Sequence, residues 1–275
     1  MTQSAATMAA GAAAGIVKHP AVARLAWALS GLAILAAIWG VFGYYIAQDP
    51  KTQSFATFGL IPTLEGFAAL WDAGKIQSAM VASGFRLGGG LGIAIVVGVP
   101  VGILVGRIKR FRELSNSPFQ LLRMISPLAW MPIAVLVFAT WDGSIVFLIA
   151  MAAVWPVMFA TAAGLAKVDP AWFKVARNLG AKPWHMITKL IIPAISFDVL
   201  TGIRLALGVA WIVLVPAEFL GVTSGLGYAI EDARETLSYN HLTAMVTTIG
   251  VIGYVLDSLL VMLIKHFSWH RGGAS

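Results

Sequence analysis

Apolar runs of bilayer length alternate with short polar joints along this 275-residue chain. With roughly 20 apolar residues needed to cross a hydrocarbon core, the pattern predicts six spanning helices, at 25–46, 87–105, 121–138, 145–164, 199–216 and 244–264. The third and fifth are interrupted by charge. Between the first two, 61–74 places Leu64, Phe67, Ala68 and Trp71 at helical spacing, which predicts an amphipathic helix at the outer interface. The longest polar joint, 167–193, reads as a helical elbow. Asp169 can cap free N–H groups, Pro170 suits the first helical position, Gly180 suits a left-handed end, and Pro183 can open a second helix. Trp172, Phe173, Leu179 and Trp184 are expected to anchor the elbow against the spans. Ala176 and Gly180, four apart on one face, are expected to let another protein's surface approach the backbone.

Composition agrees with the hydropathy. Hydrophobic residues make up 59% and charged residues 11%, against about 25% charged in soluble domains. The fold class is therefore an all-α integral membrane protein. We expect a flexible tail at 1–24, one transmembrane domain at 25–265 and a second tail at 266–275. The Ala/Gly-rich start has no basic n-region, so no cleaved signal peptide is expected. The absence of cysteine excludes disulfides and thiolate chemistry.

Charge placement sets the orientation. With the N-terminus inside, thirteen Lys and Arg fall on cytoplasmic pieces, among them Lys18, Arg107, Lys109, Lys174, Lys189, Lys265 and Arg271. Only Lys51, Lys75 and Arg234 fall outside. Both termini and the elbow are thus expected in the cytoplasm. The net charge of +7 reflects this bias, and no soluble basic face is present for nucleic acid.

Ionisable residues inside apolar runs are the candidates for a translocation pathway, because charge in hydrocarbon is costly. They are Arg86, Arg123, Arg204 and Glu218. Arg123 and Arg204 are expected in the inner half of their helices. Arg86 and Glu218 are expected near the outer ends, where they can pair. The structural alternative for all four is snorkelling or bonding to backbone carbonyls. Gly84, Gly88 and Gly92, then Gly98, Gly102 and Gly106, form ladders suited to close helix packing. The Gly-rich stretch 221–228 lacks a Gly-Lys-Ser/Thr ending and reads as a mobile outer turn, not a phosphate loop. His266 and His270 have metal-pair spacing, but no third ligand is near them in sequence, so no metal site is expected. No Ser/His/Asp set and no nucleotide motif is recognisable, so the chain is expected to be neither an enzyme nor a binder of ATP.

The elbow resembles the coupling loop of ABC-importer permeases, whose pattern runs Glu-Ala-Ala, three residues, Gly, nine residues, Ile-x-Leu-Pro. Here Lys174-Val175-Ala176, Gly180 and Leu190-Ile191-Ile192-Pro193 stand at that spacing. Lys174 and Val175 depart from the pattern, and Lys174 removes the acidic group the family carries there. Segments such as Ser83-Gly-Phe-Arg86, Ser126-Pro-Leu-Ala-Trp130, Gly202-Ile-Arg-Leu-Ala-Leu-Gly208 and Ala217-Glu218 are similar to the nitrate/sulfonate/taurine/bicarbonate branch. The resemblance implies a type I importer permease in a bacterial cytoplasmic membrane. It implies a second permease subunit, two cytoplasmic ATPase subunits that hold ATP and Mg, an external solute-binding protein, and a small anion as cargo. It also implies that Lys174, Val175, Ala176, Gly180, Trp184 and Pro193 contact the ATPase. Residue chemistry by itself leaves open a stand-alone secondary transporter or channel, for which a docking elbow would have no use.

Overall fold

The computed structural model describes residues 20–268; most of both expected tails, with Lys18, His270 and Arg271, lies outside the described residues. The described chain is helical: α1 (Pro20–Gln48), α2 (Leu60–Asp72), α3 (Lys75–Arg107), α4 (Lys109–Met124), α5 (Met131–Val137), α6 (Trp141–Ala166), α7 (Pro170–Asn178), α8 (Pro183–Gly221), α9 (Leu226–Glu235) and α10 (Tyr239–Ser268). Five of these, α1, α3, α6, α8 and α10, are long and apolar enough to cross a membrane. They coincide with five of the six expected spans and extend beyond them. α3 starts twelve residues before the expected position 87, because its polar first turns lie outside the apolar run that hydropathy detects.

The chain divides into two units. One holds residues up to Ala68 together with Tyr239–Ala244. In it, the Trp39 indole donates to the Phe58 carbonyl at 2.9 Å, and the rings of Phe55, Phe58 and Tyr239 cluster with centroids 4.8 to 5.9 Å apart. A short 3₁₀ turn, Gln53–Phe58, leads into α2. On α2, Leu64, Phe67 and Trp71 are exposed, while Thr63 is buried and bonds to Gly59 and Thr243. An exposed apolar face is what an interfacial helix needs.

The second unit holds Ala69–Ser238 and the chain from Met245 on, and its centre is α3 against α6. A Cβ added at Gly90, Gly98, Gly102 or Gly106 would strike Ile149, Val157, Thr161 or Leu165, at 2.5 to 3.1 Å. Each glycine thus meets a residue numbered 59 higher, so α3 and α6 run parallel in close contact. The other expected ladder differs: a Cβ at Gly84, Gly88 or Gly92 meets nothing within 4 Å. α8 packs antiparallel on α6, with Gly221 against Trp141, Gly202 against Pro156 and Ala160, and Asp198 against Gly164. Leu148, Ile149, Ala153, Ala206, Ala210 and Leu214 form the core between these helices.

The third expected span is corrected in shape. Residues 121–138 are not one helix; α4 ends at Met124 and the chain restarts at Pro127 after an 88° bend. The backbone of the residue before a proline avoids the α region, and Ser126 accordingly has ψ 129. The segment must still cross. α3 and α6 point the same way, so whatever joins the end of one to the start of the other returns through the full thickness. The five long helices and the broken span therefore make six passes.

Candidate functional site

The elbow is built by local chemistry. Asp169 Oδ1 accepts from the Ala171 N–H at 2.7 Å, capping α7. At the other end Gly180 has φ +75. Its N–H donates to the Arg177 carbonyl and the Ala181 N–H donates to the Ala176 carbonyl, at 2.9 and 3.0 Å. That bond pair is the Schellman closure, which requires a left-handed residue. Pro183 then opens α8, which passes through a wide π-type turn at Met186–Ile191 before entering the span. The second helix of the elbow is therefore the start of the fifth span.

Phe173 fastens the elbow. It is buried with Leu165, Met186, Ile191 and Ile195, and the Arg107 guanidinium lies 4.4 Å over its ring. The expectation that Trp172, Leu179 and Trp184 share this anchoring is corrected, because they are 64, 82 and 69% exposed. Helical geometry explains the result: once Phe173 turns inward, Trp172 is displaced by about 100° and Leu179 by about 240° around the helix. Ala176 lies on the margin of the same cluster. It is half-buried against the chain's own cluster, so its small size serves internal packing. Lys174 and Val175 are exposed. Pro193 lines a cleft beside Trp172, Lys189 and the Lys167–Asp198 ion pair.

At the far end of the bundle, Arg86 and Glu218 pair as the charges allow. Arg86 is 3% and Glu218 0% exposed. Arg86 Nη1 donates to Glu218 Oε1 at 2.6 Å and to the Ser224 carbonyl at 2.7 Å. Its Nη2 donates to Ser224 Oγ at 2.8 Å and its Nε to Asp142 Oδ1 at 2.7 Å. Glu218 also accepts from Ser83 Oγ at 2.8 Å and from the Gly227 N–H at 3.0 Å, while Ser83 Oγ accepts from the Leu226 N–H at 2.8 Å. The expected mobile turn is thus a fastened one, since three of its residues are tied to α3 and α8. Gly225 has φ +111, and a Cβ there would lie 2.5 Å from the Glu218 carboxyl. With every partner in place, the buried charges are compensated and the network is well satisfied.

Nearer the elbow, Arg204 of α8 reaches Asp257 of α10 with two bonds, Nε to Oδ1 at 2.7 Å and Nη2 to Oδ2 at 2.8 Å. Arg123, at the end of α4, stacks over Phe159 at 5.2 Å and makes no ion pair among the described residues. It lines a cleft of about 520 Å³ with Trp155, Phe159, Leu205 and Val209. The four ionisable candidates therefore separate into Arg86 and Glu218 closed on one another, Arg204 neutralised by Asp257, and Arg123 as a lone cation among the described residues. Sequence reasoning missed Asp257, Asp142, Ser83 and Ser224. Asp257 had a signal, being a lone acid in an apolar 28-residue span. Asp142 and Ser224 lie at or beside helix ends, where polar residues are ordinary, and Ser83 is a single hydroxyl within α3.

Six passes with charges paired between the long helices define a multi-pass membrane protein. The chain belongs to the family described as binding-protein-dependent transport system inner membrane component, whose profile matches residues 98–269. It is 37% identical over 261 residues to a putative aliphatic sulfonates transport permease protein, SsuC, of Bacillus subtilis, covering 91% of this chain and 90% of the relative. It is 33% identical over 246 residues to a putative ABC transporter permease of Methanocaldococcus jannaschii, covering 87% and 90%. It is 35% identical over 185 residues to the bicarbonate transport system permease protein CmpB of Synechococcus elongatus, covering 66% of each. The chain is accordingly an ABC-importer permease subunit of the sulfonate/bicarbonate branch, a non-catalytic component of the inner membrane.

Proposed function

We propose that two copies of this chain enclose the path of an ATP-driven importer for a small anion, with nitrate, bicarbonate, cyanate and sulfonates such as taurine as the candidate cargo. ATP and Mg are held by two cytoplasmic ATPase subunits, and an external binding protein delivers the anion to the far end of the bundle. Both termini and the elbow face the cytoplasm. The permease names of the relatives and the lone Arg123 support an anion.

One observation carries the coupling role: α7 is capped at both ends and pinned through Phe173, and the elbow turns Trp172, Val175, Leu179 and Trp184 outward. A rigid element that shows a row of apolar side chains to solvent is suited to grip a partner. On this surface Lys174, Val175, Leu179 and Trp184 make the contact. Ala176, Gly180 and Pro193 shape the backbone behind them.

Leu179→Asp tests the proposal, because Leu179 is exposed and its replacement leaves the elbow's own core intact. Co-purification with the ATPase subunits and ATP hydrolysis by the reconstituted complex are expected to fall at least tenfold, with thermal stability of the permease unchanged. Retention of both activities, or uptake by vesicles that contain the permease without ATPase subunits, would instead indicate a stand-alone carrier. Gly180→Trp is a poor probe, since any side chain at φ +75 strains the turn whether or not a partner docks.

A further inference from the structure

Arg204 and Asp257 form a two-bond ion pair that is not closed off: their side chains are 45 and 47% exposed. The pair is also deep. Gly202 packs on Pro156 and Ala160, six to ten residues before the elbow end of α6 at Ala166, or roughly 9–15 Å along the axis. Asp257 is nine residues before His266, about 14 Å along α10 by the same rise. Both values fall within a hydrocarbon layer about 30 Å thick, as the 26 residues of α6 span about 39 Å. Half-exposed charges at that depth do not face lipid tails. The open side of the pair meets water or protein.

The surroundings indicate which. Around α8, residues advance by about 100°, which places exposed Thr201, Gly208 and Ile212 on one arc between Arg204 and the pair Leu205 and Val209. Leu205 and Val209 line the Arg123 cleft, so Arg204 and Arg123 flank the same arc from opposite sides. Gly208, in its middle, has nothing within 4 Å of an added Cβ. Of the two flanking cations, one is matched by an acid and the other is not.

Building on the permease reading, we propose that this arc is the wet wall of the path and that Asp257 sets its charge. At rest the Asp257 carboxylate masks Arg204, leaving Arg123 as the uncompensated cation. A passing anion competes with Asp257 for the Arg204 guanidinium, so Arg204 holds the anion only while it displaces the resident carboxylate, and releases it when the carboxylate returns. Asp257 is thereby a charge-setting residue that never needs to touch the cargo.

The absence of native cysteine makes the idea testable without knowing the cargo. In the assembled importer in vesicles, Gly208→Cys is reacted with a sulfonate-bearing and with a trimethylammonium-bearing methanethiosulfonate, each rate normalised to a free thiol. Both reagents are expected to react. Adding Asp257→Asn is expected to raise the anionic-to-cationic rate ratio roughly tenfold, the size expected of one uncovered charge in a partly aqueous site. Asp257→Glu is expected to keep the original ratio, and Arg204→Gln added to Asp257→Asn to restore it. Thr201→Cys, on the same arc, serves as a second probe if Gly208→Cys impairs assembly. Failure of both probes to react with either reagent would mean that a dry protein contact covers the arc. That outcome, or a ratio unmoved by Asp257→Asn, overturns the proposal. ATPase co-purification, scored on the same samples, reports separately on the coupling elbow.

Discussion

Arg86 fills four acceptors at once, on three separate stretches of chain, and in doing so it removes the free charge that a cargo would need. We therefore favour a structural role for Arg86 and Glu218. Removing one partner strands the other, so Arg86→Met is expected to lose about 3–5 kcal/mol of stability, read as a fall in the melting temperature of the purified chain. Arg86→Met with Glu218→Met should lose less than the two single changes together, since the double variant buries no orphaned charge. Gly225→Ala is expected to destabilise as well, through strain and through its approach to the Glu218 carboxyl. These two charges could be read in sequence because so few interrupt the apolar runs. Ser83 and Ser224 could not, because lone hydroxyls give no signal until the fold brings them to a charged partner.

Helix packing sorts glycines that look alike along the chain. Gly98 and Gly102 sit against α6, whereas Gly84 and Gly88 face open space, although both sets repeat every fourth position. Gly102→Leu is expected to overfill the α3–α6 contact, costing about 1–3 kcal/mol and lowering the yield of folded protein. Gly88→Leu should leave the isolated chain's stability unchanged, with size-exclusion and thermal profiles as the checks. The elbow shows the same division. Its caps were legible because Asp-Pro and a glycine three residues before Pro183 act locally. The face it turns inward was not, since that depends on Phe173 meeting Leu165 and Arg107, residues brought there by two other helices. At Ala176 the small side chain also makes room for the chain's own core.

The whole molecule follows from hydropathy more directly than from any single element. Four spans were recoverable as continuous apolar runs and the fifth despite the charge of Arg204, while the third was recoverable as a span but not as a bent one. The bend arises from Ser126-Pro127 and from tertiary packing, to which an averaged window is blind. Positive-inside counting makes the orientation checkable. With single cysteines and an impermeant thiol reagent on intact cells, Thr223→Cys and Lys51→Cys are expected to be labelled, and Lys174→Cys and Lys265→Cys to be protected. Labelling at 174 with protection at 223 would invert the bundle.

The parallel contact of α3 and α6 also has a consequence in time. Every glycine on that face of α3 waits for a partner 59 residues further along, and at ribosomal rates of about 5–20 residues per second that partner is synthesised roughly 3–12 s later. Until then α3 stands in the bilayer with Gly90, Gly98, Gly102 and Gly106 uncovered, and no hairpin with its immediate successor can relieve it. The membrane must shelter a half-made surface while the broken span threads back, and α3 gains its close partner only when α6 follows.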